Sequence, residues 1–338
     1  MTTQRQHQMQ RAEKAKRMNM ILPIILFILF LFLFIKNVKA QTIIYVNYAA
    51  AGANDGTTWT NAYPSLQTAI ENAASGSQIW VARGTYKPNV YPIGTTDGSS
   101  ERDYSFTLRN NVAIYGGFTG IEIILSERNV ANNPTILSGD IGIAGDNSDN
   151  CYHVVLGDYI NNSAGLDGFT IRDGNANINS ITTHTPSGHI LPSHSGGGMF
   201  LNFASPNISN CIITNNDATY AGGGVVAQGR SDETFFNCIF TNNRVLTATF
   251  GGAGLYNYAH PSNPSFPIVK NCVFNNNISL GAGGAIYTQY SNMTITNCTI
   301  YNNTAQLWGG GIYNEDSSNM IVKNCIIWGN TEIGRAHV

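Results

Sequence analysis

"NCTIYNNTAQLWGGGIYNE" spans Asn297 to Glu315. A cysteine leads a short apolar alternation, two asparagines follow, and three glycines open a second apolar run. The same order recurs as "NCIITNN" from Asn210, "NCIFTNN" from Asn237, "NCVFNNN" from Asn271 and "NCIIWGN" from Asn324. The cysteines fall at 211, 238, 272, 298 and 325, so the spacings are 27, 34, 26 and 27. An asparagine precedes each, and a second lies five positions after it, at Asn216, Asn243, Asn277, Asn303 and Asn330.

Small-residue triplets separate these segments, as at Gly196–Gly198, Gly222–Gly224 and Gly309–Gly311. Each is followed by an apolar residue (Met199, Val225, Leu255, Ile286, Ile312) and then a mostly aromatic one (Phe200, Val226, Tyr256, Tyr287, Tyr313). Alternation with period two, rich in β-branched and aromatic residues, reads as short strands. A unit of this length with Gly/Asn turns and no helical stripe is one coil of a solenoid. The fold expected is all-β: a single-stranded right-handed parallel β-helix. The one long spacing comes from an inserted loop, "YAHPSNPSFP" (Tyr258–Pro267).

Stacked coils lie about 4.8 Å apart, so equivalent side chains form ladders along the axis. Cys211, Cys238, Cys272, Cys298 and Cys325 are assigned to the core with the residue two further on, since small thiols suit a narrow interior. Disulfides are the alternative, because ladder spacing falls in the Cα range for a bond. The asparagines are expected at turns, in left-handed backbone or bonded to neighbours above and below. Glycines permit tight bends and close approach between walls.

The ends read differently. Residues 1–40 carry a basic segment (Arg5, Arg11, Lys14, Lys16, Arg17), an apolar run Ile21–Ile35 and the small-residue site Val38-Lys39-Ala40. That is the pattern of a signal peptide cleaved before Gln41, with an uncleaved anchor as the alternative and Met18 or Met20 as alternative starts. At the other end, "EIGRAHV" (332–338) breaks the repeat and matches one frame of a sequencing adapter. A natural chain continuing past Thr331 is therefore expected, as is a missing polar cap. Residues 1–40 hold seven of the 18 Lys+Arg and one of the 20 Asp+Glu, which leaves 11 against 19. A net charge of −8 argues against nucleic acid as a partner.

Residues 41–195 look like earlier, less regular coils, followed by the regular repeats of 196–331. "PSLQTAIENAASG" (Pro64–Gly76) places Leu66, Ala69, Ile70 and Ala73 on one helical face, with Ser65 as N-cap and Gly76 as terminator. This helix is expected to cap the open apolar end. Strands are expected at Gln78–Ala82, Val112–Tyr115, Thr135–Leu137, His153–Leu156 and Gly168–Ile171.

The motifs "YVNYAAAGANDGTTWTNAYPSLQTAI", "IWVARGTYKP", "NVAIYGGFTG", "ILSGDI", "HVVLGDY" and "LDGFTIRDGNAN" resemble those of secreted right-handed β-helix proteins common in Bacteroidetes, within the pectin-lyase-like superfamily. "FNNN" and "GGAI" (Phe274–Asn277, Gly283–Ile286) also resemble the FxxN and GGAI signatures of polymorphic outer-membrane proteins. The resemblance implies the fold and an extracellular or cell-surface location, often with a C-terminal sorting segment. Lyase relatives hold Ca²⁺ with clustered carboxylates beside an Arg or Lys base, and hydrolase relatives use paired carboxylates.

Neither constellation is evident in the repeats. The acids there are Asp217, Asp232, Glu233, Glu315 and Asp316. Glu233 and Glu315 sit about three coils apart, near ~14 Å, too far for a hydrolytic pair. Asp232-Glu233 and Glu315-Asp316 read as solvated loop charges. Asp140, Asp146 and Asp149 are the candidate Ca²⁺ ligands, with a solvated turn as the alternative. His184, His189 and His194, in a flexible-looking Pro/Ser loop, form a weaker metal set. The candidate glycan-stacking residues are the outward ladder Phe200, Tyr256, Tyr287 and Tyr313 with Trp308, supported by Tyr220 and Phe250. Asn257, Gln289 and Asn314 are expected to bond sugar hydroxyls. Alternatively, these aromatics merely stabilise the sheet. The leading expectation is a non-catalytic, adhesin-like binder of extracellular polysaccharide or cell-surface glycans. A lyase or hydrolase acting on acidic glycans is the alternative, and a passive stalk the third reading.

Overall fold

The computed structural model describes residues 2–35, 41–92, 100–178, 181–185 and 187–333. The chain divides into two compact units, Met1–Gln41 and Thr42–Val338. In the first, Thr2–Ile35 is helical with Pro23 inside it. Among the described residues, no helix is long and apolar enough to cross a membrane.

The second unit is a parallel β-helix. One coil shows the plan: Met199–Asn202, Asn207–Ser209, Ile212–Thr214 and Asp217–Ala218, after which Val225–Gln228 pairs with Met199–Asn202 one coil on. Among the described residues, repetition builds four parallel sheets, with strands as follows. The first wall runs through Asn207–Ser209 and has nine strands. The second, through Ile212–Thr214, has eight; the third, through Asp217–Ala218, has six; the fourth, through Met199–Asn202, has seven. An antiparallel pair, Ile181–His184 with Ile190–Pro192, is inserted before the first regular coil.

Three corners of each regular coil are left-handed, and each recurs at a fixed wall junction. Between the first and second walls stand Asn210, Asn237, Asn271, Asn297 and Asn324, with φ of 51 to 55°. Between the second and third stand Asn215, Asn242, Asn276, Asn302 and Gly329. Between the third and fourth stands the first glycine of each triplet, at φ 55 to 74°. Asparagine and glycine tolerate this conformation where other residues do not, which is why Gly329 can stand where four coils have asparagine.

The residue after each of the first two corners turns inward. After the first corner this is the cysteine. Cys211, Cys238, Cys272 and Cys298 are buried and all six cysteines are free. Further along the row the sulfurs accept backbone N–H groups from the preceding coil, as from Cys238 N to Cys272 Sγ at 3.4 Å and from Cys272 N to Cys298 Sγ at 3.3 Å. Burial pushes the Cys238 thiol up, so it stays protonated. The cysteines are core residues, as the spacing implied, and not disulfides.

After the second corner comes the buried asparagine. The left-handed position belongs to Asn215 and its equivalents, whereas Asn216, Asn243, Asn277 and Asn303 are fully buried beside it. Each amide serves two coils. Asn277 Nδ2 donates to Asn303 Oδ1 and to Phe240 O, both at 2.9 Å, while its Oδ1 accepts Asn243 N at 3.1 Å and Asn243 Nδ2 at 3.0 Å. Asn330 closes the row, donating to Ile300 O at 2.8 Å. The third glycine of the triplet leaves room for this amide: a Cβ on Gly198 would lie 2.9 Å from Asn216 Nδ2.

Between the corners the interior is apolar columns. Ile208, Phe235, Val269 and Ile295 line the first wall, and Ile213, Phe240, Phe274 and Ile300 the second, all with no exposed surface. Phe240 and Phe274 stack at 4.3 Å. In the last described coil the column residues Val322 and Ile327 are 43% and 47% exposed. Strand pairing there runs to Thr331–Glu332, so Glu332 still belongs to the third wall; residues 334–338 of the sequence tail lie outside the described residues.

The expected helix forms over Leu66–Asn72, with Ser65 Oγ accepting Thr68 N and with Leu66, Ala69, Ile70 and Ala73 all in the core. It ends at Ala73 rather than at Gly76. Arg109 Nη1 reaches in to bond the Ile70 carbonyl at 2.6 Å and supplies the stop that the glycine was expected to give. Gln78–Ala82 forms as expected, and Gly168 is a left-handed corner between two strands rather than the start of one. The strand expected at His153–Leu156 lies at Val155–Asp158.

Asn277→Ala breaks four buried hydrogen bonds and strands the Asn243 N–H, and each buried group left unpaired costs about 1–3 kcal/mol. Denaturant unfolding of this variant should show a loss of at least about 3 kcal/mol. Asn276→Gly, at the adjacent left-handed corner, should stay within about 1 kcal/mol of the parent, while Asn276→Val loses more.

Candidate functional site

On the fourth wall, strand alternation sends Met199, Val225, Leu255 and Ile286 inward. Phe200, Val226, Tyr256, Tyr287 and Tyr313 face outward in register. The outward row exists, but it offers little ring face. Phe200 is wholly buried and Tyr256 and Tyr287 nearly so, in a second apolar cluster with Leu191 from the inserted hairpin. Tyr256–Tyr287 and Tyr287–Tyr313 each pack edge-on with centroids 5.0 Å apart. Rings this buried and turned edge-to-face offer no face for a sugar to stack on, which corrects the assignment of Phe200, Tyr256 and Tyr287. Tyr313 is half-buried and stacks on Trp308, which is 40% exposed, at 5.7 Å.

A second outward row, two residues further along each strand, was missed except for Gln289. It runs Asp158, Asn202, Gln228, Tyr258, Gln289, Glu315. The period-two rule that places Tyr256 outside also places Tyr258 outside and Asn257 inside. A groove of about 380 Å³ lies between this row and the opposite rim. One rim carries His194 and Phe250, the other Gln228, Tyr258, Gln289 and Tyr290, over a floor of Val226 and Tyr256. His194 Nδ1 lies 2.9 Å from Ser195 Oγ, and its ring rests 4.4 Å from Tyr220. Partial burial holds its pKa below the usual value, so it is neutral at pH 7.

The exit corner of the fourth wall is left-handed with large side chains. Tyr159, Phe203, Tyr290 and Asp316 have φ of 49, 46, 54 and 42°. Tyrosine and phenylalanine rarely adopt this conformation, and each costs about 1–2 kcal/mol. The corner sets aromatic rings beside one another: Tyr159 stacks on Phe203 at 5.0 Å and on His189 at 4.7 Å.

Carboxylates orient the polar row. Asp158 Oδ1 accepts Asn202 Nδ2 at 2.7 Å, and Asn202 Oδ1 in turn accepts Gln228 Nε2 at 3.0 Å. Asp316 Oδ2 accepts Gln289 Nε2 at 2.7 Å, and Glu315 accepts the Tyr287 hydroxyl.

The other acids do not converge. Asp217 is paired with Arg244. Glu233, expected in a solvated loop, is completely buried, and inward-pointing Asn257 donates to its Oε1 at 3.0 Å. Asn257 Oδ1 accepts Ser265 Oγ at 2.7 Å, and Asn314 accepts Thr288 Oγ1, so neither asparagine is placed to bond a sugar on the outer face. Burial raises the Glu233 pKa to about 8, and Asp232 adds to the shift. Glu233 and Glu315 therefore lie on opposite sides of the fourth wall.

The proposed calcium ligands each cap a separate turn. Asp140 faces Lys87 at 3.8 Å and accepts Gly145 N, Asp146 accepts Ser148 N, and Asp149 accepts Ile143 N. His189 faces Asp158 while His194 sits in the groove, and the flexible loop expected around them contains the antiparallel pair. The side chain of His184 lies outside the described residues. Among the described residues, no three His, Cys, Asp or Glu side chains are placed to hold a metal.

The family described as "Right handed beta helix region" matches residues 267–335. The fold is a right-handed parallel β-helix. A crystal structure of pectate lyase Pel9A aligns over 89% of this chain and 83% of its own, at 14% identity and a TM-score of 0.40. That level of likeness carries no argument about activity. No curated protein matches the chain.

The buried carboxyl has a measurable consequence. Its folded pKa lies above the ordinary 4.5, so its contribution to stability is whole below 4.5 and is lost as pH rises through about 8. Buried His153, held down to about 4, acts in the opposite sense between 4 and its ordinary 6.5. Urea midpoints for the parent and Glu233→Gln separate the two. The parent should fall relative to the variant between pH 5 and 8.5, and parallel profiles would refute a protonated Glu233.

Proposed function

We propose that this protein binds glycans along the outer face of the fourth wall, as an exported or surface-held binder rather than a hydrolase or lyase. One observation carries the reading: a groove spanning successive coils, edged by the exposed rings of Phe250 and Tyr258, by half-buried Tyr290 and by the amides of Gln228 and Gln289. Sugar rings present C–H faces to aromatic planes and hydroxyls to amides. Concave sites of this kind, mostly apolar with a few fixed polar groups, are the usual form of a small-ligand site. Phe250 and Tyr258 are 40% and 38% exposed, as a stacking surface requires.

The strained rim supports a functional role. A left-handed Tyr290 is costly and contributes nothing visible to the core, and such outliers gather at ligand sites. Export follows from the basic and apolar pattern of residues 1–40, and a surface location suits a binder of extracellular polysaccharide. Trp308 and Tyr313, stacked one coil beyond Gln289, extend the aromatic surface along the axis.

The test is binding to a glycan array, followed by titration of the best ligand. Tyr258→Ala and Tyr290→Ala should each weaken binding at least tenfold, with thermal unfolding little changed. Phe236→Ala, equally exposed but on the first wall, should leave binding intact. Release of unsaturated or reducing ends from the bound polysaccharide would replace this reading with an enzymatic one.

A further inference from the structure

The polarity of the groove narrows its ligand. We infer that the site takes uncharged, hydroxyl-rich glycans and rejects carboxylated or sulfated ones; this rests on the glycan-binding reading above. The two rim glutamines are not free to rotate. Gln228 has an Nε2 proton committed to Asn202, which is itself held by Asp158. Gln289 has one committed to Asp316. A carboxylate accepts only, so it fixes the amide that donates to it, and in the Asp158–Asn202–Gln228 chain the orientation passes from one amide to the next. With their nitrogens tied to the wall, both glutamines turn their carbonyl oxygens away from it, as acceptors for ligand hydroxyls.

The charges nearby have one sign. Among the described residues no Lys or Arg lines the groove, and His194 is neutral at pH 7. Asp158 and Glu315 stand in the same outward row, and Asp316 stands at the exit corner bonded to Gln289. Arg230, just past Gln228, is paired with Asp232 at 3.2 Å. A carboxylated or sulfated sugar would meet acceptors and negative charge with no cation to offset its desolvation, a repulsive arrangement that discriminates as strongly as any contact. A hydroxyl meets an oriented acceptor, and a site built to bond a hydroxyl discriminates against an analogue that cannot donate.

Matched polymers test this with the full chain: hydroxyethylcellulose against carboxymethylcellulose, fully methyl-esterified pectin against polygalacturonate, and xyloglucan and galactomannan as further neutral probes. At 20 mM salt, at least one neutral polymer should bind, and its acidic counterpart at least tenfold more weakly, with the gap narrowing at 0.5 M salt as screening grows. Gln289→Lys should shrink the discrimination at least fivefold. Equal or tighter binding of the acidic polymers would overturn the inference and leave glycan binding standing. Binding to none of the probes would overturn the glycan reading and this inference with it.

Discussion

The buried asparagine at the second corner is the interaction on which the rest of the solenoid depends. A chain that turns sharply once per wall leaves backbone donors and acceptors at every corner, inside a coil too narrow for much water. Unpaired, each would cost about 1–3 kcal/mol. The amide has the valence for the task, donating twice and accepting twice, so each side chain satisfies its own corner and the next. Because Oδ1 of one coil receives both the backbone N–H and the Nδ2 of its neighbour, the row also fixes coil-to-coil register. A slip of one residue would place a buried amide against an apolar column. The cysteine row does the same at the first corner more weakly, with sulfur as acceptor.

Much of this was legible in the sequence. Repeat length, triplet glycines and period-two alternation gave the parallel coils and the core columns. Paired asparagines gave the corners but not their division of labour. Only the backbone shows that the first of "NN" bends and the second plugs the bend, although Gly329 in "NCIIWGN" carried the clue. The capping helix was read correctly at its start, which depends on local chemistry at Ser65. Its end was misread because the terminating contact comes from Arg109, distant in sequence.

The site was less legible, for physical reasons. Aromatics on an outward row are exposed only if nothing covers them. Here Leu191 of the inserted hairpin packs into their cluster, and rings at coil spacing pack on each other's edges. Glu233 was misjudged in the same way: its loop folds under the strand that carries Asn257, a contact set by stacking rather than by neighbours in sequence. Tyr258 and Gln228 could have been found by carrying the alternation one step further. The left-handed Tyr290 could not, since no residue pattern marks a tyrosine that takes the conformation of a glycine.

Scaffold and site thus separate by face. Inside, one amide and one thiol per coil hold the wall; outside, the fourth wall is free to vary its rows, and its ordered strands position a groove edged by strained corners. Amide hydrogen exchange on the intact chain tests this most directly. If the ladder holds the register, the backbone amides of Asn243, Asn277 and Asn303, each donating to the asparagine of the next coil, exchange only with global unfolding and rank among the slowest in the protein. Exchange at these three amides as fast as in the exposed loop at Asp316 and Ser317 would contradict the account.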